Sequence, residues 1–139
     1  MSTFFSELQW RGFIDNVTND DMPAFLDAKR RTIYIGFDPT ADSLHLGSLI
    51  QVMVLAHAQR HGHRPLVLVG GGTGLIGDPS GKTSERTLLT VEQTAANAEG
   101  IRAQLANFFD LSSPDKGLLL NNADWLVPLN LVEFLRDVG

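Results

Sequence analysis

The sequence predicts an α/β protein, with a parallel sheet flanked by helices behind a short helical prefix, and three observations carry that reading. Apolar runs of strand length recur at 31–37, 65–69 and 117–120. Stretches with helical spacing of apolar residues separate them, and clusters of Gly, Pro, Asp and Asn follow the strands. Composition agrees: 43% of the 139 residues are hydrophobic and 19% charged, within the range of one ordinary globular domain.

Taking the elements in order, Phe5, Leu8, Gly12 and Phe13 recur near helical spacing, so a helix is expected within 4–17. Thr18-Asn19-Asp20-Asp21 then offers caps for a short helix through Phe25, Leu26 and Ala28. The run Arg31-Thr32-Ile33-Tyr34-Ile35-Gly36-Phe37 is β-branched and aromatic, stops at Asp38-Pro39, and reads as the first strand. Leu46, Leu49, Ile50 and Met53 follow the helical pattern, while Val52, Leu55 and Ala56 make the other side apolar too, which predicts a helix buried on more than one side. Gly62 marks its stop. Pro65-Leu66-Val67-Leu68-Val69 is continuously apolar, as expected of a parallel strand covered on both faces. The segment 70–86 holds six of the 13 glycines and predicts one long loop without regular structure. A helix over 90–109 follows, presenting Val91, Ala95, Ala98, Ile101, Leu105 and Phe108 on one face, then a third strand at 117–120 and short helices near 122–126 and from 130 onward. The chain stops at Gly139 within continuing structure, so a larger protein is expected.

Several function classes fall away at once. With no Cys there is no disulfide framework, no thiolate zinc site and no cysteine nucleophile. Eleven Lys and Arg against 16 Asp and Glu leave a net charge of -5, unlike a nucleic-acid module with a uniformly basic surface, so any phosphate must be met locally. No apolar run approaches the roughly 20 residues needed to span a bilayer, and the start lacks a basic segment followed by an apolar core. A cytoplasmic chain without membrane attachment is the expectation.

Chemistry concentrates in the loops after the first two strands. Parallel strands joined by crossovers send both loops to one sheet edge, where ligands gather. In Gly36-Phe37-Asp38-Pro39-Thr40-Ala41-Asp42-Ser43-Leu44-His45-Leu46-Gly47-Ser48, a helix start would turn backbone N–H groups toward an anion, Gly47 would let a ligand come close, and Thr40 and His45 would donate to phosphate oxygens. The glycine string satisfies Gly72-x-Gly74-x-x-Gly77, but Asp78-Pro79-Ser80-Gly81 is poor material for the helix that a dinucleotide fingerprint requires. Gly77-x-x-x-Gly81-Lys82-Thr83 has three residues between its glycines where a P-loop has four. What remains is a mobile loop bringing Lys82 and Arg86 to a phosphate site. His57 and His61 stand one turn apart, yet no carboxylate lies at fitting spacing, and no protein-bound metal is predicted. Trp10 and Trp125 read as core or interface residues.

Two of these strings, in this order, resemble the catalytic core of bacterial-type tyrosyl-tRNA synthetases, which are class I aminoacyl-tRNA synthetases. Tyr34-x-Gly36-Phe37-Asp38-Pro39-Thr40-Ala41-Asp42-Ser43-Leu44-His45 and Gly74-Leu75-Ile76-Gly77-Asp78-Pro79-Ser80-Gly81-Lys82 with Ser84-Glu85-Arg86 carry the likeness. Leu8-Gln9-Trp10-Arg11-Gly12 and Phe134-Leu135-Arg136-Asp137-Val138-Gly139 extend it to both ends. The resemblance implies a helical prefix over 1–30 and the amino-terminal part of a Rossmann-like catalytic domain over 31–139, incomplete in its sheet. It implies ATP-dependent activation of L-tyrosine to tyrosyl adenylate and transfer to tRNA(Tyr), with Mg2+ accompanying the ATP, in a parent protein that is a homodimer. By matching position, Tyr34 meets the substrate phenol, Asp78 its ammonium and Asp38 the same region. Gly36, Asp38, Thr40, His45, Gly47 and Ser48 meet ATP, and Lys82 and Arg86 steady the departing pyrophosphate. Ser48 stands where the family commonly has a second histidine, so a shorter neutral donor faces the ribose. The family's lysine-rich second signature has no counterpart in these residues, which predicts that the 139-residue chain alone is inactive. A nucleotidyltransferase of the same superfamily, or a non-catalytic binding fragment, are the alternatives.

Overall fold

In the computed structural model, which describes residues 2–76 and 89–139, three parallel strands stand in the order β1-β2-β3. They are β1 (Thr32–Phe37), β2 (Arg64–Val69) and β3 (Leu118–Asn121). Before them come α1 (Phe4–Trp10) and α2 (Met22–Asp27). A single 3-10 turn (Leu46–Ser48) leads into α3 (Leu49–Arg60), which joins β1 to β2. The β2 to β3 crossover carries α4 (Gly71–Ile76) and α5 (Val91–Leu105), and α6 (Ala123–Leu126) and α7 (Leu131–Val138) follow β3.

Local chemistry sets several boundaries. Thr3 and Ser6 form a reciprocal capping box at α1, and Thr90 and Gln93 form another at α5, each side chain satisfying one orphan N–H. Pro23 sits in the first turn of α2, where its missing N–H costs nothing. Gly12 and Gly62 take φ of 72° and 83°, left-handed values that stop α1 and α3. The first helix therefore ends well short of residue 17, with the Phe13 N–H turning back to Leu8 O at 2.9 Å.

The pleat sorts side chains by parity. Ile35, Val67 and Leu119 stand in register on one face, where Phe37, Val67 and Val69 pack with Val52, Leu55 and Ala56 of α3, Ile101 and Leu105 of α5, and Phe109. The prefix fastens to the same side: Phe4, Leu8 and Leu26 enclose Ala58, with Val54 and Ile33 at the margin. On the opposite face Tyr34, Leu66 and Leu118 form one row and Gly36, Leu68 and Leu120 the next, and neither row belongs to either core.

Three expectations change here. β2 is covered on one face, not two, among the described residues: Val67 and Val69 are buried while Leu66 and Leu68 are half-buried. α3, by contrast, is buried on more than one side as expected: Val52, Leu55 and Ala56 pack in the sheet core while Ala58 and Val54 pack against the prefix, and Ile50, with Leu46 in the turn before the helix, is turned outward. α5 stops at Leu105, so Phe108 is turned outward and Phe109 enters the core instead, and Val91 is exposed at the other end. Trp10 and Trp125 are exposed rather than core, and the Arg11 guanidinium lies 5.2 Å from the Trp10 ring centroid.

Candidate functional site

Beyond β1, the chain turns through Asp38-Pro39-Thr40, the Thr40 N–H donating to Asp38 O at 2.9 Å. Pro39 is fully buried, and Asn97 of α5 donates to its carbonyl at 3.0 Å. Further along, the Leu44 N–H reaches Gln104 Oε1 at 2.8 Å, and Gly100 leaves room for the Asp42 carbonyl, onto which any Cβ would fall. Loop 38–45 is thus strapped to α5 by side chains three to four residues apart on one helix face. Sequence reading placed the loop but missed Asn97, Gly100 and Gln104, whose helical spacing was the available signal.

The strapped loop delivers His45 to the start of the 3-10 turn. Its Nδ1 accepts the Gly47 N–H at 3.0 Å, and its carbonyl accepts the Ser48 N–H at 3.0 Å. An Nδ1 that accepts leaves the proton of the neutral ring on Nε2, so the exposed residue keeps one ring N–H donor. This corrects the expected picture of bare backbone amides facing an anion: two of those amides are already taken by His45. Gly47 has a further local reason, since a Cβ there would stand 2.8 Å from His45 Cε1 and 3.0 Å from Nδ1. Ser48 is buried at the head of α3, and Thr40 is exposed.

The second loop departs from expectation more sharply, because α4 forms inside the glycine string. Its opening N–H groups are met by two asparagines at the end of β3. Asn121 Oδ1 accepts from Gly71 at 3.1 Å and from Ala123 at 3.0 Å, while Asn122 Oδ1 accepts from Gly72 at 2.7 Å and from Thr73 at 3.4 Å. Asn122 Nδ2 completes the set by donating to Thr73 Oγ1 at 3.0 Å. A helix does form through Gly72 and Gly74, opening one residue ahead at Gly71, yet its leading amides are capped from within the protein. Gly70 lies under the Asp38 carboxylate, where a side chain would strike Asp38 Oδ1 and come within 2.8 Å of Thr73 Oγ1. The pair Asn121-Asn122 was the missed signal, being the residue type that caps helices.

Tyr34 is 68% exposed on the open sheet face, two residues along the same face from Gly36, where an added Cβ would meet only Leu68 O at 3.9 Å. Thus Tyr34, Gly36, Asp38, Thr40 and His45 share one strand and the loop it feeds. Asp78, Lys82 and Arg86 lie outside the described residues.

The three clustered histidines have a packing role. His57 and His63 are buried, and Phe4 and Phe13 lie against the group. His63 Nδ1 accepts the Arg31 N–H at 3.1 Å, and His61 Nδ1 sits 2.9 Å from His57 O. Burial, first of all, holds His57 and His63 below the ordinary histidine pKa, with neighbouring arginines adding to the effect. Among the described residues no three His, Asp or Glu side chains gather as a metal would need.

Residues 27–139 match the model of the class I tRNA synthetases (W and Y). The tyrosine–tRNA ligase of Roseiflexus castenholzii is 56% identical over 140 residues, covering 100% of this chain and 33% of that protein. That of Desulfatibacillum aliphaticivorans is 60% identical over 134 residues, covering 95% of this chain and 30% of its own length. The chain therefore spans about a third of the length of the curated relatives it matches. Among solved structures, a C-terminally truncated mitochondrial tyrosyl-tRNA synthetase of Aspergillus nidulans superposes with a TM-score of 0.79 at 30% identity, covering 100% of this chain and 42% of that one. With the match running through the prefix boundary, the sheet and both loops, this chain belongs to the class I tRNA synthetases of the tryptophan and tyrosine family.

Proposed function

We propose that this chain serves ATP-dependent activation of L-tyrosine to tyrosyl adenylate and its transfer to tRNA(Tyr). The observation that carries the reading is the exposed His45 ring, whose Nδ1 accepts the Gly47 N–H and so leaves Nε2–H free of that bond, on the loop that also holds Asp38 and Thr40. In the reaction a tyrosine carboxylate oxygen attacks the α-phosphorus of ATP, the bond to the bridging oxygen breaks, and pyrophosphate leaves with the electron pair. Negative charge thereby moves toward the leaving group, and donors fixed beforehand gain most where that charge arrives. His45 Nε2–H and the Thr40 hydroxyl are those donors, joined by Lys82 and Arg86. Ser48 acts as a neutral donor at the nucleotide, and Gly36 and Gly47 keep the surface flat beneath it. Tyr34 on the open face meets the substrate phenol, Asp78 meets its ammonium group, and Asp38 lies close to the same substrate and to the nucleotide. Among the described residues no cluster would cage an ion, so magnesium would enter on the phosphate oxygens and neutralise their charge. The reading extends to a cytoplasmic homodimer. Residues 1–30 would then brace a catalytic domain starting at 31.

The test is tyrosine-dependent exchange between pyrophosphate and ATP in the complete protein. Tyr34→Phe should lower discrimination of tyrosine over phenylalanine by about 0.5 to 1.5 kcal/mol, the worth of one uncharged hydrogen bond. Measuring activation with both amino acids decides it; an unchanged ratio removes Tyr34 from the specificity pocket.

A further inference from the structure

The end of the sheet opposite the candidate site gathers cations in a chain whose net charge is -5. Lys29, Arg30, Arg31, Arg60 and Arg64 are five of the 11 Lys and Arg, and all precede β1 or β2 or stand at the first residue of β2. A hollow of about 180 Å³ is lined by Arg30, Arg31, Thr32, Arg64 and Asp115. A neighbouring hollow of about 320 Å³ shares Arg30 and adds Lys29 and Asp27. Lys29, Arg30, Arg31 and Arg64 thus outnumber Asp27 and Asp115 in the linings of the two hollows.

How the guanidinium groups are held matters more than their number. Arg30 Nη2 donates to the Asp115 carbonyl, Arg64 Nη1 to the Pro114 carbonyl at 3.4 Å and Arg64 Nε to Thr32 Oγ1 at 3.0 Å. Arg31 Nε donates to Phe25 O at 2.9 Å, with its guanidinium over the Phe25 ring. These acceptors are neutral, so they fix direction without cancelling charge. The ion pairs among the described residues use Arg11, Arg102, Lys116 and Arg136 instead. Arginines oriented in advance and outside those ion pairs suit phosphate oxygens, which accept two parallel N–H bonds from one guanidinium.

We propose that this end of the sheet binds the phosphate backbone of RNA, with Arg30 and Arg64 on one phosphodiester and Lys29 and Arg31 on its neighbours. Two hollows on either side of Arg30 favour a chain of phosphates over a single ion, which would occupy one of them. Only the choice of RNA rests on the proposed function; the charge geometry stands apart from it.

Anisotropy of a labelled single-stranded RNA, titrated with the protein at several salt concentrations, tests this. Replacing Arg30 and Arg64 together with Gln should weaken binding about tenfold at low salt and reduce the slope of log affinity against log salt by about 1.4, two phosphate contacts at roughly 0.7 each. Restoring charge with Lys at both positions should recover the slope, and Arg102→Gln, on α5, should change neither quantity. Arg30→Gln alone, at an exposed position, keeps the test open if the double variant unfolds, with about half the slope change expected. An unchanged slope in the Gln variants overturns the proposal. So does displacement of RNA by inorganic phosphate at equal phosphate concentration, which would mark a small-anion site, or by polyglutamate at equal charge, which would mark an acidic-protein site. Pyrophosphate exchange by the complete protein is followed in parallel: its absence with intact RNA binding would remove the proposed function and leave the patch standing.

Discussion

His45 accepts the Gly47 N–H through Nδ1, and that bond decides what the residue can offer a ligand, because the remaining ring nitrogen must then carry the proton. Gly47 is required by the ring itself. An alanine Cβ at 2.8 to 3.0 Å from His45 ring atoms would push the imidazole off its cap. Gly47→Ala should therefore cost about 1 kcal/mol of capping and slow adenylate formation about tenfold, the effect of roughly 1.4 kcal/mol in a barrier. Single-turnover activation compared with ATP affinity checks this. A variant with normal rates would show that the ring orientation is immaterial.

At the scale of elements, α4 is a six-residue helix containing three glycines, a composition that loses backbone entropy on ordering and would not hold a helix alone. It persists because Asn121 and Asn122, carried in by β3, satisfy its leading amides. Asn122→Ala strands the buried Gly72 N–H and removes the partner of Thr73 Oγ1, so a loss of about 1 to 3 kcal/mol is expected. Urea unfolding measures it, and hydrogen exchange at Gly72 and Thr73 should accelerate more than exchange in β2. Equal acceleration everywhere would mean that Asn122 supports the fold generally rather than α4.

For the whole molecule, the prefix and the sheet meet around His57 and His63. Burial holds both rings below the ordinary value of 6.5, so the folded protein resists protons that the unfolded chain accepts. Their contribution to stability is complete above that value and is lost as pH falls through it toward the folded values. Protonating His63 also removes its acceptor for the Arg31 N–H. The thermal midpoint should fall between pH 7.5 and pH 5, and a protein carrying His57→Leu and His63→Gln should respond less; an equal response would place the titration elsewhere. Asp110, held low by Lys116, titrates below this window. Among the described residues, the other face of the sheet, Leu46 in the 3-10 turn, Ile50 on α3 and the apolar residues of α7 present side chains to solvent.

The sequence by itself determined the α/β class, all three strands and the loop that carries Asp38, Thr40 and His45, because periodicity and punctuation are local properties of the chain. Its likeness to the synthetases pointed to the same loops for the same reason: the motifs are contiguous. Only the tertiary structure decided that α4 forms among glycines and that Gly47 answers to a histidine ring. It also decided that Asn97, Gly100 and Gln104 strap the first loop, and that β2 is covered on one face among the described residues. Apart from the Gly47 contact, whose partner is its near neighbour His45, those outcomes depend on partners about 50 to 60 residues away in sequence, and an apolar pattern states which side chains avoid water without stating what will cover them.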